Sequence, residues 1–233
     1  MEDAERVRAG EQLVAAAHKE GIRLALLGGV AIRVLCPSAR DGGPWQRSLA
    51  DIDLATVPGE RKATERLLRE SGLEPEAHFN LMNGSERLRY LDEDGAHVDV
   101  FLGEMRLCHV IEWRKALGRE MTTLPLPELL LTKLQIVKIE EKDLGDISAL
   151  FQDQWAAIEA DRKRLTRLVG QDWGLWKTSL MNLEILGRSD VALVASRAAD
   201  LAESWRSGPR SLTYRARAIV GERVRWYEEP EEV

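Results

Sequence analysis

Three short stretches carry residues whose types and spacing could do chemistry together. The first is Leu49-Ala50-Asp51-Ile52-Asp53-Leu54-Ala55, with two aspartates two positions apart. Positions two apart in a strand point to the same face. Asp51 and Asp53 would therefore converge on one side while Ile52 and Leu54 enter the core on the other. Two neighbouring carboxylates repel each other unless a cation lies between them. Mg²⁺ suits the position, being a hard ion that needs only one or two carboxylates beside substrate phosphates. The second stretch, His97-Val98-Asp99-Val100-Phe101-Leu102, sets an aspartate in the middle of an apolar strand. Beside the first pair it would complete a three-carboxylate set. Such a set can serve two metals roughly 3.5–4 Å apart, holding the attacking and leaving oxygens of a phosphoryl displacement. Asp99 could then also act as base on the attacking hydroxyl. The third stretch is Leu26-Leu27-Gly28-Gly29-Val30. A strand ending in two glycines before a helix lets the backbone approach a ligand, and the helix N-terminus offers N–H groups to phosphate oxygens. Each piece has an ordinary explanation in chance, a solvated strand end or a tight turn. Their combination and order point to one shared site.

Other residues could support it. Arg47 lies four positions before Asp51, after a glycine-rich loop, and could grip a triphosphate as a forked donor or be a solvated loop arginine. Lys133 sits among Leu129, Leu130, Leu134 and Val137 at helical spacings, on or near an apolar face. A buried ammonium needs a partner, which a nucleotide phosphate or an active-site carboxylate would supply. Otherwise its stem covers the core and its head reaches water. Asp143 and Asp146 could orient Lys142 or Lys133, or simply favour a helix start.

The elements that must position these residues are legible in outline. A helix is expected over residues 3–20, ended by Gly21, then a strand over 22–27 and a helix over 30–35. Pro37 and the run from Asp41 to Pro44 mark a loop. A strand over 49–57 and a helix over 60–71 follow. Residues 86–91 and 97–102 read as a hairpin around Asp92-Glu93-Asp94-Gly95, and 117–124 as a further strand. Pro127 opens a helix running towards Ile139. From about Leu144 the chain reads as helical, divided by Gly170, Gly187 and Gly208-Pro209 into four helices. Its tryptophans at helical spacings are core or interface residues. The expected division is an α/β domain over 1–125 and a helical domain over 126–233.

Composition excludes several classes. With 44% hydrophobic and 31% charged residues among 233, the chain reads as a folded globular protein. It has no apolar signal region and no run of 18 apolar residues, so a cytoplasmic protein without a membrane span is expected. Cys36 and Cys108 are too few for a disulfide framework and fit reduced core thiols. A net charge of −6 argues against general nucleic-acid binding, although arginines crowd the stretch from Arg162 to Arg225 and the tail from Glu228 to Glu232 is acidic. No His/Cys zinc spacing, nucleophile elbow or Walker A motif is present.

Gly28-Gly29, then Asp51-x-Asp53, then Asp99 resembles the signature of the nucleotidyltransferase superfamily related to DNA polymerase β, over roughly residues 21–101. The resemblance implies an α+β fold, a small mixed sheet flanked by helices and followed here by a helical C-terminal region. It implies that Gly28 and Gly29 bind a triphosphate and that Asp51, Asp53 and Asp99 bind Mg²⁺. The run from Leu124 to Leu134, with Lys133, and the run from Lys142 to Ile147 are similar to the toxin-like AbiEii branch. Arg47-Ser48 before Asp51 resembles the lead-in of aminoglycoside nucleotidyltransferases. Arg47, Ser48 and Lys133 thus join the expected nucleotide-binding set. Two departures stand out. Many members carry Ser where this chain has Gly29, and the AbiEii-like branch often has an Arg where Ile139-Glu140-Glu141 stands. The implied activity moves a nucleoside monophosphate from an NTP to an acceptor hydroxyl on an RNA end or small molecule. The alternative is a catalytically silent binding module, for instance one half of a toxin–antitoxin pair. A glycosyltransferase, which also uses Asp-x-Asp, would need more chain ahead of residue 51 and would leave the glycines unexplained.

Overall fold

The computed structural model describes residues 2–229. Glu231 and Glu232 of the acidic tail lie outside the described residues. The chain divides into two compact units. The first takes the chain up to Leu35, Arg47–Met105 and Ile111–Leu129; the second takes Cys36–Gln46, Arg106–Val110 and the chain from Leu130 on.

The first unit is built on a mixed sheet. Helix α1 (Asp3–Lys19) leads to β1 (Ala25–Leu27), which passes directly into α2 (Gly28–Leu35). β2 (Ile52–Thr56), α3 (Arg61–Glu70), β3 (Glu74–Pro75), α4 (Ala77–Asn83), β4 (Arg87–Leu91) and β5 (His97–Leu102) follow. The strand order is β1-β2-β5-β4-β3. β2 and β5 run parallel, and the other pairs are antiparallel. Alternation sends Ile52, Leu54, Val98, Val100 and Leu88 to one face, where all are buried. α1 covers that face closely. A side chain at Gly10 would come within 2.8 Å of Leu26 and 3.5 Å of Ile52. Asp53 and Asp99 are left on the opposite face.

Several elements differ from expectation. β1 covers only the end of the expected strand, and β2 starts after Asp51. Residues 117–124 form no strand; a single bridge joins Thr123 to Leu26, since β1 is three residues long and offers little to pair with. β3, α4 and a ribbon of β6 (Glu104–Arg106) and β7 (Val110–Glu112) were not anticipated. In α4 only Phe79 is buried, so no apolar periodicity announces it.

Helix α5 (Leu126–Leu134) stops five residues short of Ile139. The cause lies far along the chain, where the amide of Asn182 donates to the carbonyls of Leu134 at 3.0 Å and Ile136 at 2.8 Å. That side-chain cap satisfies carbonyls that a continuing helix would have used.

The remaining helices belong to the second unit: α6 (Glu141–Asp153), α7 (Trp155–Ala160), α8 (Arg162–Val169), α9 (Trp173–Leu186), α10 (Ala192–Ser207) and α11 (Leu212–Val220). Gly170, Gly187 and Gly208 do end α8, α9 and α10. The additional breaks fall at Gln154 and Asp161, which carry no glycine or proline signal. Phe151, Leu165, Leu183, Leu201 and Trp205 form its core. Cys36 and Cys108 are free and buried. Burial, then the nearby Asp153 and Asp146, pushes the Cys36 thiol up to about 12, so it stays protonated and unreactive.

Much of the arginine crowd is internal joinery. Arg210 donates to carbonyls of Gly208 at 3.0 Å and Arg206 at 3.1 Å while lying over Trp176 and Tyr214. Arg217 donates to Gly221 and Val224 and lies over Trp173. Arg197 serves Phe151 and Gln152 and lies over Trp155. Arg162 pairs with Glu159 and Asp200.

Replacing Asn182 with leucine removes both caps from a buried position. Leaving polar groups unpaired costs about 1–3 kcal/mol. Urea unfolding of Asn182→Leu should show a lower midpoint at unchanged slope; an unchanged midpoint would contradict this account of where α5 ends.

Candidate functional site

The parallel register pairs Asp53 directly with Asp99 on neighbouring strands, and Asp51 sits one residue before β2. Neighbouring strands lie about 4.8 Å apart. One carboxylate oxygen from each of Asp51, Asp53 and Asp99 lies within 4.8 Å of the others. Asp99 is only 1% exposed, and the other two are half-buried. The three aspartates singled out in the sequence thus come together on one face of the sheet.

Asp99 is held by two arginines that sequence reasoning passed over. Arg87 forms a fork on it, Nε to Oδ1 at 2.9 Å and Nη2 to Oδ2 at 2.7 Å. Arg89 adds Nε to Oδ1 at 3.2 Å. The hairpin register places Arg89 opposite Asp99 and Arg87 opposite Phe101. A signal was available, because the expected hairpin around residues 92–95 already implies this pairing. Arg89 is itself locked. Its guanidinium lies 4.1 Å from the Phe79 ring centroid, with Glu76 at 3.7 Å. Its backbone is bridged by Asn80, which accepts from the amide at 2.6 Å and donates to the carbonyl at 2.9 Å.

The glycine pair sits beside Asp53. Gly28 has φ +62°, and a Cβ there would come 2.0 Å from Asp53 Oδ2. The carboxylate therefore lies against the first residue of α2, at the helix end that favours negative charge. At Gly29 a Cβ would meet Arg47 Nη2 at 2.4 Å and Leu49 Cδ2 at 2.8 Å. Arg47 and Leu49 thus fill the space that a side chain at Gly29 would need. Ser48 is exposed, and its carbonyl accepts from Arg47 Nη1 at 3.0 Å.

The lead-in to Asp51 is clamped by charged side chains from α1 and α2. Asp3 accepts from the Leu49 amide at 3.0 Å, and Arg6 donates to the Leu49 carbonyl at 2.8 Å. Arg33 donates to Asp3 at 3.1 Å and also to the Arg47 carbonyl. Arg6 and Arg33 are both buried. Nothing in their local sequence marks them out, because the backbone groups they hold lie more than ten residues away.

Lys133 belongs to the second unit. It is paired with Asp143 at 3.1 Å and Asp146 at 2.9 Å, both buried on α6. These carboxylates supply the partner its burial requires. Lys142 pairs instead with Glu140 at 2.9 Å on the surface. Among the described residues the histidines join no metal-ligating cluster. His109 is pushed down to about 4 by burial, so it is neutral at pH 7, with Nε2 2.8 Å from the Thr178 hydroxyl.

The trio could hold a hard divalent cation. Its donors are all carboxylate oxygens, and a glycine whose missing side chain makes room for Asp53 completes the cradle. No protein-family model matches the chain, and no curated protein matches it in sequence. Solved structures similar to it include the following two. One is the antibiotic-resistance factor ANT(2'')-Ia, at 16% identity over 70% of this chain and 99% of that one, with a TM-score of 0.41. The other is an antigenic nucleotidyltransferase-like protein from Paracoccidioides brasiliensis, at 16% identity over 91% and 96%, with a TM-score of 0.45.

The contact between Gly28 and Asp53 can be measured by a double-mutant cycle. Gly28→Ala adds backbone strain of about 1 kcal/mol and, with Asp53 present, a steric overlap that should bring the cost to about 2 kcal/mol. In an Asp53→Ala background the cost should fall back to about 1 kcal/mol. Equal costs in both backgrounds would show that Asp53 does not lie against the turn.

Proposed function

We propose that the chain is a Mg²⁺-dependent nucleotidyltransferase. The observation that carries this is the convergence of Asp51, Asp53 and Asp99 beside a glycine turn at the start of a helix. An acceptor hydroxyl oxygen attacks the α-phosphorus of an NTP. The bond from that phosphorus to the bridging oxygen breaks, pyrophosphate leaves, and the hydroxyl proton passes to base or solvent. Such chemistry needs positioning and charge neutralisation more than covalent catalysis. When bound, Mg²⁺ supplies neutralisation of the phosphate oxygens, in a one- or two-metal arrangement.

The chain's own residues divide the remaining work. Asp51, Asp53 and Asp99 act as the metal ligands. Gly28 and Gly29 offer backbone N–H groups to the triphosphate at the start of α2 while making room for Asp53 and Arg47, and Arg47 and Ser48 flank it as phosphate donors. Arg47 is anchored by its own backbone contacts, which suits a pre-aimed fork. A carboxylate has about four lone-pair positions. Three on Asp99 are taken by arginine, leaving one on Oδ2. While both arginines stay, that position can take a metal or a proton, and we assign it to the metal. Lys133 is held by Asp143 and Asp146 within its own unit.

The arginines tied to carbonyls and carboxylates of the second unit weaken the case for a broad basic track, which favours a small-molecule acceptor over an RNA end. Free buried thiols fit a cytoplasmic setting. One observation favours the alternative of a silent binding module with a protein partner such as an antitoxin, namely that arginine already occupies most of Asp99.

Asp53→Ala should lower transfer by at least about a thousandfold, the scale expected when an electrostatic anchor of the transition state is lost. Circular dichroism should stay native. Pyrophosphate release would be followed with each NTP and with RNA pools and aminoglycosides as acceptors. Undiminished activity in the variant would overturn the proposal, and a folded wild type inert with every donor and acceptor would favour the binding module.

A further inference from the structure

Arg87 and Arg89 do opposite things to the same carboxylate. They pay for its burial by pairing it, and they compete with any cation that would use it. Arg89 cannot leave easily, being 8% exposed and held against Glu76 and Phe79. Arg87 is different. Its side chain is 27% exposed, it contributes two of the three hydrogen bonds on Asp99, and it fills both carboxylate oxygens at once. Its guanidinium also lies over Phe79 at 5.6 Å and Phe101 at 5.0 Å.

From this geometry we infer that Arg87 is a positioning residue that keeps the aspartate trio from taking up a bare divalent cation. The inference rests on the trio being the metal site. Two effects act together. The guanidinium fork leaves Asp99 a single coordination position on Oδ2, so bidentate binding of an ion by this residue is blocked. The fixed positive charge next to that position also repels a second cation. A metal accompanied by nucleotide phosphates brings its own negative charge and oxygen ligands, and so loses less from both effects. The site thereby discriminates for a metal–nucleotide complex over the free ion, and at rest Asp99 stays paired instead of metallated.

The test is Mn²⁺ alone, titrated into nucleotide-free protein and followed by the electron paramagnetic resonance signal of free Mn²⁺. Arg87→Met keeps much of the side chain's bulk over Phe101 but removes the fork and the charge. It should bind Mn²⁺ at least about ten times more tightly than wild type, as expected when a neighbouring charge is removed from a half-buried site. Arg87→Lys keeps the charge without the fork and should fall between the two. No tightening in Arg87→Met overturns the inference; should that variant not fold, no tightening in Arg87→Lys does the same. Weaker binding in either would mean that Arg87 orients Asp99 for the ion, which also overturns it. Asp51→Asn with Asp53→Asn, made in wild type and in Arg87→Met, separates the two levels. If Mn²⁺ binding survives that pair, the trio does not ligate the ion and the metal-site assignment itself fails. If binding is lost with the pair but is no tighter in Arg87→Met, only the role of Arg87 fails.

Discussion

Three carboxylate groups with oxygens within 4.8 Å of one another repel, and the first unit is arranged around that repulsion. The parallel pairing of β2 with β5 is what forces Asp53 and Asp99 together, since one register step would send either to the opposite face. The protein offsets the resulting charge with local devices. Asp53 lies against the start of α2, where the helix dipole favours an anion. Asp99, the most buried, receives two guanidiniums. A site designed only for stability has little reason to gather three acids where hydrophobic residues would pack without penalty.

The positions of these acids depend on charges that never touch them. Asp3, Arg6 and Arg33 bind the backbone of Arg47 and Leu49, and so fix how the chain enters β2. Side chains that occupy backbone groups in this way replace the ladder partners that a strand would give, because residues 47–51 precede β2 and have no strand neighbour of their own. Gly28 and Gly29 complete the arrangement by leaving out side chains. One absence makes room for Asp53 and the other for Arg47. A loop can therefore be held with the rigidity of a strand without forming one.

The candidate site was legible in the sequence because its chemistry follows strand period and glycine punctuation. Asp51, Asp53 and Asp99 each stand out against an apolar run, and alternation alone predicts which way they face. Arg87 and Arg89 were hidden because they read as ordinary exposed strand residues until the hairpin register is imposed. Arg6 and Arg33 were hidden for a stronger reason, since no local pattern distinguishes a buried arginine that caps a distant carbonyl from a solvated one. In the fold, helices closed by glycine were placed well, whereas α5 ended where Asn182 dictated. The arginines around α8 to α11 read as a basic surface, yet several lie over aromatic rings with their donors on carbonyls. Composition records how many charges a segment carries and says nothing of which are spent inside it.

The proposed function requires Asp51, Asp53 and Asp99 to bind a nucleoside triphosphate through a divalent metal. Calorimetric titration of the four NTPs tests it most directly, with Mg²⁺ and then with EDTA, in wild type and in Asp51→Ala with Asp53→Ala. At least one NTP should bind, with binding that requires Mg²⁺ and disappears in the double variant. Binding that persists in EDTA or in the double variant, or a folded wild type that binds none of the four, would contradict it.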